Sequence, residues 1–160
     1  GKGNTPSDVL PRHIGHEQRS VTLLRAVSER LRVPRDSKEL AEVVAREHGN
    51  IHRSGDFGAA AVLRLLERCD ALRRPERFDE VLLACECDAR GRLGLDEQPY
   101  PQATRLRGAL DAALAVRTRD IASDVTARLP ADFKNPGLAI ATAIEDARLA
   151  AVTAHLATRA

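Results

Sequence analysis

Four of the five histidines, His13, His16, His48 and His52, fall in the first third of this 160-residue chain, and only His155 lies outside it. Helical spacing decides where two of the chemically capable groups point. Leu40, Val44 and His48 recur at i, i+4, i+8, so His48 shares the apolar face of its helix. Leu63, Leu66 and Asp70 recur at i, i+3, i+7, which puts Asp70 on a buried face as well. A buried carboxylate needs a partner, because losing water costs several kcal/mol unless a counter-charge or metal replaces it. Imidazole and carboxylate together suit a transition metal, which activates water or clamps a phosphate. For each histidine taken singly, a hydrogen-bonded place in the core is the competing reading.

Arginines form a second set. Arg73, Arg74 and Arg77 surround Pro75, and Arg90 and Arg92 bracket Gly91, with Glu86 and Asp88 just upstream. The planar guanidinium pairs bidentately with phosphate, so these are candidates for RNA backbone or phosphate. A solvated, salt-bridged surface accounts for the same pattern.

The elements that must position these groups are helical. Aromatics are 2% of the chain, with no Trp and no Met, so the core is built from Leu, Val, Ile and Ala. The periodicity predicts helices at about 17–32 (buried stripe Val21, Leu24, Val27, Leu31), 36–48 (Asp36 as cap with Glu39 in a capping box, stopping at Gly49), 57–74 and 75–90. Further helices are expected at 102–117, 120–129 and from Pro136, capped by Asn135, to about Thr158, with a turn at Pro130–Asn135. Residues 51–54 read as a short loop after the Gly49 stop. Two Gly and two Pro mark 91–101 as a linker, dividing a helical domain at 1–90 from a helical tail at 102–160.

Formal net charge is +2, which by itself gives no electrostatic footprint for nucleic acid. Cys69, Cys85 and Cys87, an odd number without a signal peptide or CxxC, read as reduced thiols of a cytoplasmic protein. No apolar run approaches the ~20 residues of a membrane span. Phosphate-loop and nucleophile-elbow motifs are absent, and no Asp-x-Asp pair is available for nucleotidyl transfer. Gly1–Pro6 reads as mid-loop, without an initiator Met, from which the chain is expected to be part of something longer.

Several strings then agree with one family: Leu10-Pro11-Arg12-His13-Ile14-Gly15-His16-Glu17, Arg30-Leu31-Arg32-Val33-Pro34, Cys69-Asp70-Ala71-Leu72-Arg73-Arg74-Pro75, Ala84-Cys85-Glu86-Cys87-Asp88-Ala89-Arg90-Gly91-Arg92 and Tyr100-Pro101-Gln102. Over roughly residues 1–117 the chain resembles the bacterial multifunctional CCA-adding tRNA nucleotidyltransferases. The resemblance implies an all-α, HD-type helical domain followed by a helical tail. It also implies a parent enzyme whose N-terminal domain adds CCA to tRNA, using Mg²⁺. The parent's HD domain hydrolyses nucleotide phosphoesters, 2′,3′-cyclic phosphates among them, with Ni²⁺, Mn²⁺ or Mg²⁺. On that likeness His48 and Asp70 are the catalytic candidates, and His16, His48 and Asp70 the metal ligands. Arg73, Arg74, Arg77, Arg90 and Arg92 are the RNA and phosphate contacts. The implied partners are tRNA, nucleotide phosphoesters, the N-terminal nucleotidyltransferase domain and a second copy in a homodimer, with no membrane.

The sequence departs from the family pattern in two places. The adjacent His-Asp pair, which the family carries just before the Gly-Lys-Gly seen here at the start, is not in this chain, so metal is expected to be weakly held or absent and the chain alone inactive. Acidic Glu145-Asp146 stands where a basic helix is expected, which disfavours tail contact with tRNA. The second reading is a non-catalytic helical module for tRNA binding or dimerisation, and the third an unrelated helical scaffold.

Overall fold

The structure, a computed structural model, describes residues 1–130 and 132–158. Residue 131, in the expected Pro130–Asn135 turn, and residues 159–160, at the end of the expected tail, lie outside them. Among the described residues the chain is all-α: α1 (His16–Arg30), α2 (Arg35–His52), α3 (Ala59–Arg68), α4 (Pro75–Arg90), α5 (Pro101–Leu114), α6 (Thr118–Arg128) and α7 (Pro136–Ala157), with short 3₁₀ turns at Lys2–Asn4 and Ser54–Asp56. No described helix is long and apolar enough to cross a membrane.

Proline and backbone geometry set the boundaries that matter for the site. Pro75 opens α4 and Pro101 opens α5, both in the first turn, where the missing N–H costs nothing. The expected third helix stops six residues short of Arg74. Asp70 takes a left-handed conformation (φ 55°), and the Ala71 amide turns back to the Leu66 carbonyl at 2.9 Å, closing the helix end. Asp70 is therefore the terminator of α3 and lies one-third exposed rather than in the core. The expected stop at Gly49 does not occur either. The helix α2 runs on to His52, which carries Ile51 into full burial. Its start also differs from expectation: Pro34 precedes it, and Asp36 lies inside the first turn without a capping bond.

One hydrophobic cluster joins the helices. Val43 and Ile51 of α2, Leu65 and Leu66 of α3, Phe78, Val81 and Leu82 of α4, Leu106 and Leu110 of α5 and Val152 of α7 pack together. The 91–101 segment thus links α4 to a helix whose apolar face lies in the same cluster. Helices α5 and α7 approach closely at Gly108, where a Cβ would come within 2.5 Å of the His155 ring. Helix α1 packs mainly on α2, and its expected stripe is only partly covered: Val21 is buried while Val27 is 42% and Leu31 62% exposed. Between α2 and α3, buried Glu47 accepts hydrogen bonds from Arg68 (3.1 Å) and Asn50 (2.9 Å).

Candidate functional site

The extra turn of α2 creates the candidate site. His48 and His52 stand one helical turn apart on the same face, with ring centroids 5.9 Å apart. His16, the first residue of α1, meets His48 edge-to-face at 5.5 Å, and Tyr100, at the entry to α5, meets His52 at 5.8 Å. Four rings from three helical segments thus form one row, His16–His48–His52–Tyr100, and all four residues are half-buried.

Hydrogen bonds fix which ring nitrogen carries the proton. His16 Nδ1 lies 3.1 Å from the His13 carbonyl oxygen, and His48 Nδ1 lies 3.1 Å from the Val44 carbonyl oxygen. A carbonyl oxygen only accepts, so both Nδ1 atoms donate, and in the neutral ring Nε2 keeps its lone pair. Neither Nε2 has a hydrogen-bond partner among the described residues. This is the arrangement by which proteins orient metal-ligating histidines.

His52 differs. Its Nε2 lies 3.0 Å from Asp88 Oδ2 and its Nδ1 2.9 Å from the Tyr100 hydroxyl. Burial pushes the Asp88 carboxyl upward. The hydrogen bond from His52, with the charge of Arg92, outweighs that and holds it below its ordinary range. Ionised Asp88 accepts the Nε2 proton, so Nδ1 of neutral His52 accepts the hydroxyl proton of Tyr100. Tyr100 stays protonated, because burial first, then the nearby Cys85, Glu86 and Asp88, raises its pKa. His52 is saturated by these bonds and leaves no lone pair for a ligand.

Asp70 is elsewhere. Its carboxylate pairs with Arg77 (3.3 Å), Arg73 (3.7 Å) and Arg74 (3.8 Å). Arg74 and Arg77 also clasp Glu39 at 2.7 and 3.2 Å. Glu39 lies nine residues before His48 on α2, about 14 Å along the helix axis. The counter-charges that Asp70 needs are arginines, and the structure does not bring it together with His16 and His48. No group of three or more His, Cys, Asp or Glu side chains among the described residues is placed to hold a metal. The residues present supply two imidazole nitrogens toward a divalent metal and fall short of the three good ligands such an ion needs.

The candidate phosphate-binding arginines are all engaged. Besides the Asp70–Glu39 cluster, Arg90 pairs with Glu86 (2.7 Å) and Arg92 with Asp88 (3.3 Å). Sequence reasoning singled out His52 without its partners: Asp88 lies 36 residues away and Tyr100 48, and no periodicity links them. It also missed the buried Glu47. Tyr100 had two signals, being the single tyrosine of the chain and the first residue of the Tyr100-Pro101-Gln102 string.

Fold and site together define an all-helical protein that gathers its histidines in a half-buried row. Comparison with known proteins is more specific. The chain is 70% identical over 128 residues to the multifunctional CCA protein of Paracidovorax citrulli (strain AAC00-1), covering 80% of this chain and 30% of that protein. It is 58% identical over 154 residues to that of Variovorax paradoxus (strain S110), covering 96% and 36%, and 58% identical over 157 residues to that of Burkholderia cenocepacia (strain HI2424), covering 98% and 36%. The chain is thus a relative of the multifunctional CCA proteins that matches their C-terminal part and spans about a third of their length. No family model matches it, and no solved structure does.

Proposed function

We propose that this chain is the C-terminal helical part of a CCA-adding tRNA nucleotidyltransferase and supplies two metal ligands, His16 and His48, to a phosphohydrolase site. The observation that carries the reading is the shared tautomer of the two rings: both spend Nδ1 on a backbone carbonyl and keep Nε2 open, 5.5 Å apart between centroids. The high identity to multifunctional CCA proteins supports the parentage and, through it, tRNA as partner. The remaining ligands would come from a part of the relatives' length that this chain does not span. Asp70, held by three arginines, is not among the ligands in this reading, and its part is to end α3. Mn²⁺ or Ni²⁺ bound there would supply Lewis-acid chemistry to a phosphoester. The chain's own share is to hold two neutral imidazoles in fixed orientation.

Hydrolysis of 2′,3′-cyclic AMP tests this. A chain of the relatives' full length is expected to turn it over with Ni²⁺ or Mn²⁺ and to lose that turnover on His48→Ala, while the present chain is expected to show none. Equal turnover by the His48→Ala variant would contradict the reading. A non-catalytic tRNA-binding role is the second reading. Each of the five candidate arginines shares its charge with an internal acid, which weakens their pull on a phosphate backbone.

A further inference from the structure

A groove of about 470 Å³ runs between α1, α2 and α4. Its walls are apolar: Leu24 of α1, Leu40, Ala41, Val44 and Ala45 of α2, and Ala84 of α4. All six are half-buried, and Ser20 and Ser37 supply its polar lining. Leu40 and Val44 pack on the hydrophobic cluster from one side and line the groove on the other. The α1 wall continues as a stripe, because Leu24, Val27 and Leu31 recur at i, i+3, i+7, and Val27 and Leu31 are exposed. A contiguous apolar surface of this kind marks a place where another element packs. Alanine at three of the six wall positions lets a helix come close, since the distance between helix axes follows side-chain size at the contact.

The place of residue 1 points to the occupant. The Gly1 carbonyl accepts a hydrogen bond from Arg19 Nε at 3.3 Å, and a Cβ on Gly1 would meet the Ser20 hydroxyl and the His16 carbonyl. Ser20 lines the groove, so a chain entering at Gly1 arrives at its edge. In the multifunctional CCA proteins most of the length precedes the part that this chain matches. We propose that the groove seats the segment directly preceding position 1 in proteins of the relatives' length, folded as an amphipathic helix with its apolar face on Leu24, Leu40 and Val44. From Ser37 to Ala45 the groove follows α2 for about 12 Å, so the helix contributes roughly two to three turns. Ser20 and Val44 each lie one helical turn from a candidate ligand, His16 and His48. The same segment is therefore the nearest source of the further ligands that the phosphohydrolase reading requires. The docking itself rests on the parentage in that reading and not on its metal chemistry.

Thiol labelling tests the contact. Ala41→Cys, with Ala45→Cys as a second position, is made in this chain and at the matching positions of a chain of the relatives' full length. Peptide mass spectrometry reads the rate of reaction with iodoacetamide, each rate is referred to that of the same protein unfolded in urea, and circular dichroism checks the fold. Both thiols are expected to react about tenfold or more slowly in the full-length protein than in this chain. Equal rates in the two proteins overturn the proposal. A second cysteine is then placed in turn at each of the roughly ten residues before position 1 of the full-length protein, the length of two to three helical turns. Cross-linking to the first cysteine by a short bismaleimide is expected at positions three to four apart, as on one helix face. Slow labelling without any cross-link gives the groove to a more distant part and overturns the segment named. Slowing that grows with the concentration of this chain alone, with a dimer in sedimentation, gives it to a second copy and overturns the segment equally. Slow labelling and cross-linking without Ni²⁺-dependent turnover keep the docking and remove the phosphohydrolase reading, and turnover with an open groove does the reverse.

Discussion

His52 and Asp88 meet at 3.0 Å across the ends of α2 and α4, and the other nitrogen of the same ring holds the Tyr100 hydroxyl at the entry of α5. One imidazole therefore ties three helices together. The carboxyl of Asp88 is held below its ordinary value of 3.8 in the fold. For a carboxyl depressed in this way, the stabilisation is whole above the ordinary value. It is lost as pH falls through the depressed one. Thermal melts of the chain and of Asp88→Asn are expected to differ near neutral pH and to converge as pH falls below the ordinary carboxylate range. A gap that stays constant with pH would show that Asp88 acts without its charge.

Glu47 is buried, yet its arginine partners Arg46 and Arg68 are 42% and 44% exposed. Water screens the arginine side of each pair, so removal of the carboxylate charge costs less than for a fully buried pair. Glu47→Gln is expected to lower stability by about 1–3 kcal/mol, read from urea unfolding. Arg25→Gln, which removes the exposed surface partner of Glu42, is expected to leave the urea midpoint nearly unchanged.

Gly108 sits against His155 where α5 and α7 touch. A methyl group there meets the Cε1 and Nε2 atoms of a ring on another helix, so the helices must separate or the ring must turn. Gly108→Ala is expected to destabilise by about 1–3 kcal/mol, despite the helix propensity that alanine adds. A rise in melting temperature on that substitution would contradict the packing described.

The three thiols differ in access. Burial, above all, pushes Cys69 and Cys85 up to about 12, while Cys87 is exposed. A thiolate is the reacting species, so iodoacetamide at neutral pH is expected to modify Cys87 alone in the folded chain and all three after denaturation. Peptide mass spectrometry reads both states.

Much of this was legible in the sequence, and the misses share a cause. Pro75 and Pro136 marked their helix starts to the residue, because proline removes a donor and fixes φ wherever it falls. The Leu and Val periodicity gave seven helices, and of the buried cluster it singled out Leu63 and Leu66, with Leu40 and Val44 packed against it. What failed was the choice between local signals and tertiary packing. Gly49 reads as a stop, yet burial of Ile51 carries the helix through it to His52. Asp70 fits an apolar stripe by spacing, but the left-handed turn at that residue swings it out to the arginines. The stripe Val21–Leu31 on α1 was legible, while its partial exposure depends on what packs there. His16 was singled out by type and His48 by type and by its spacing from Leu40 and Val44. Their pairing at 5.5 Å and their shared tautomer are tertiary facts, set by where α1 crosses α2.

The central claim is that His16 and His48 present two open Nε2 atoms to one metal ion. Nitrogen-edited NMR of the histidine rings during a Ni²⁺ titration tests it most directly. The account predicts that the Nε2 signals of His16 and His48 broaden together as metal is added, that His48→Ala abolishes the effect at His16, and that the Nε2 of His52, held by Asp88, keeps its signal. Independent broadening of the two rings, or broadening at His52 before His48, would contradict it.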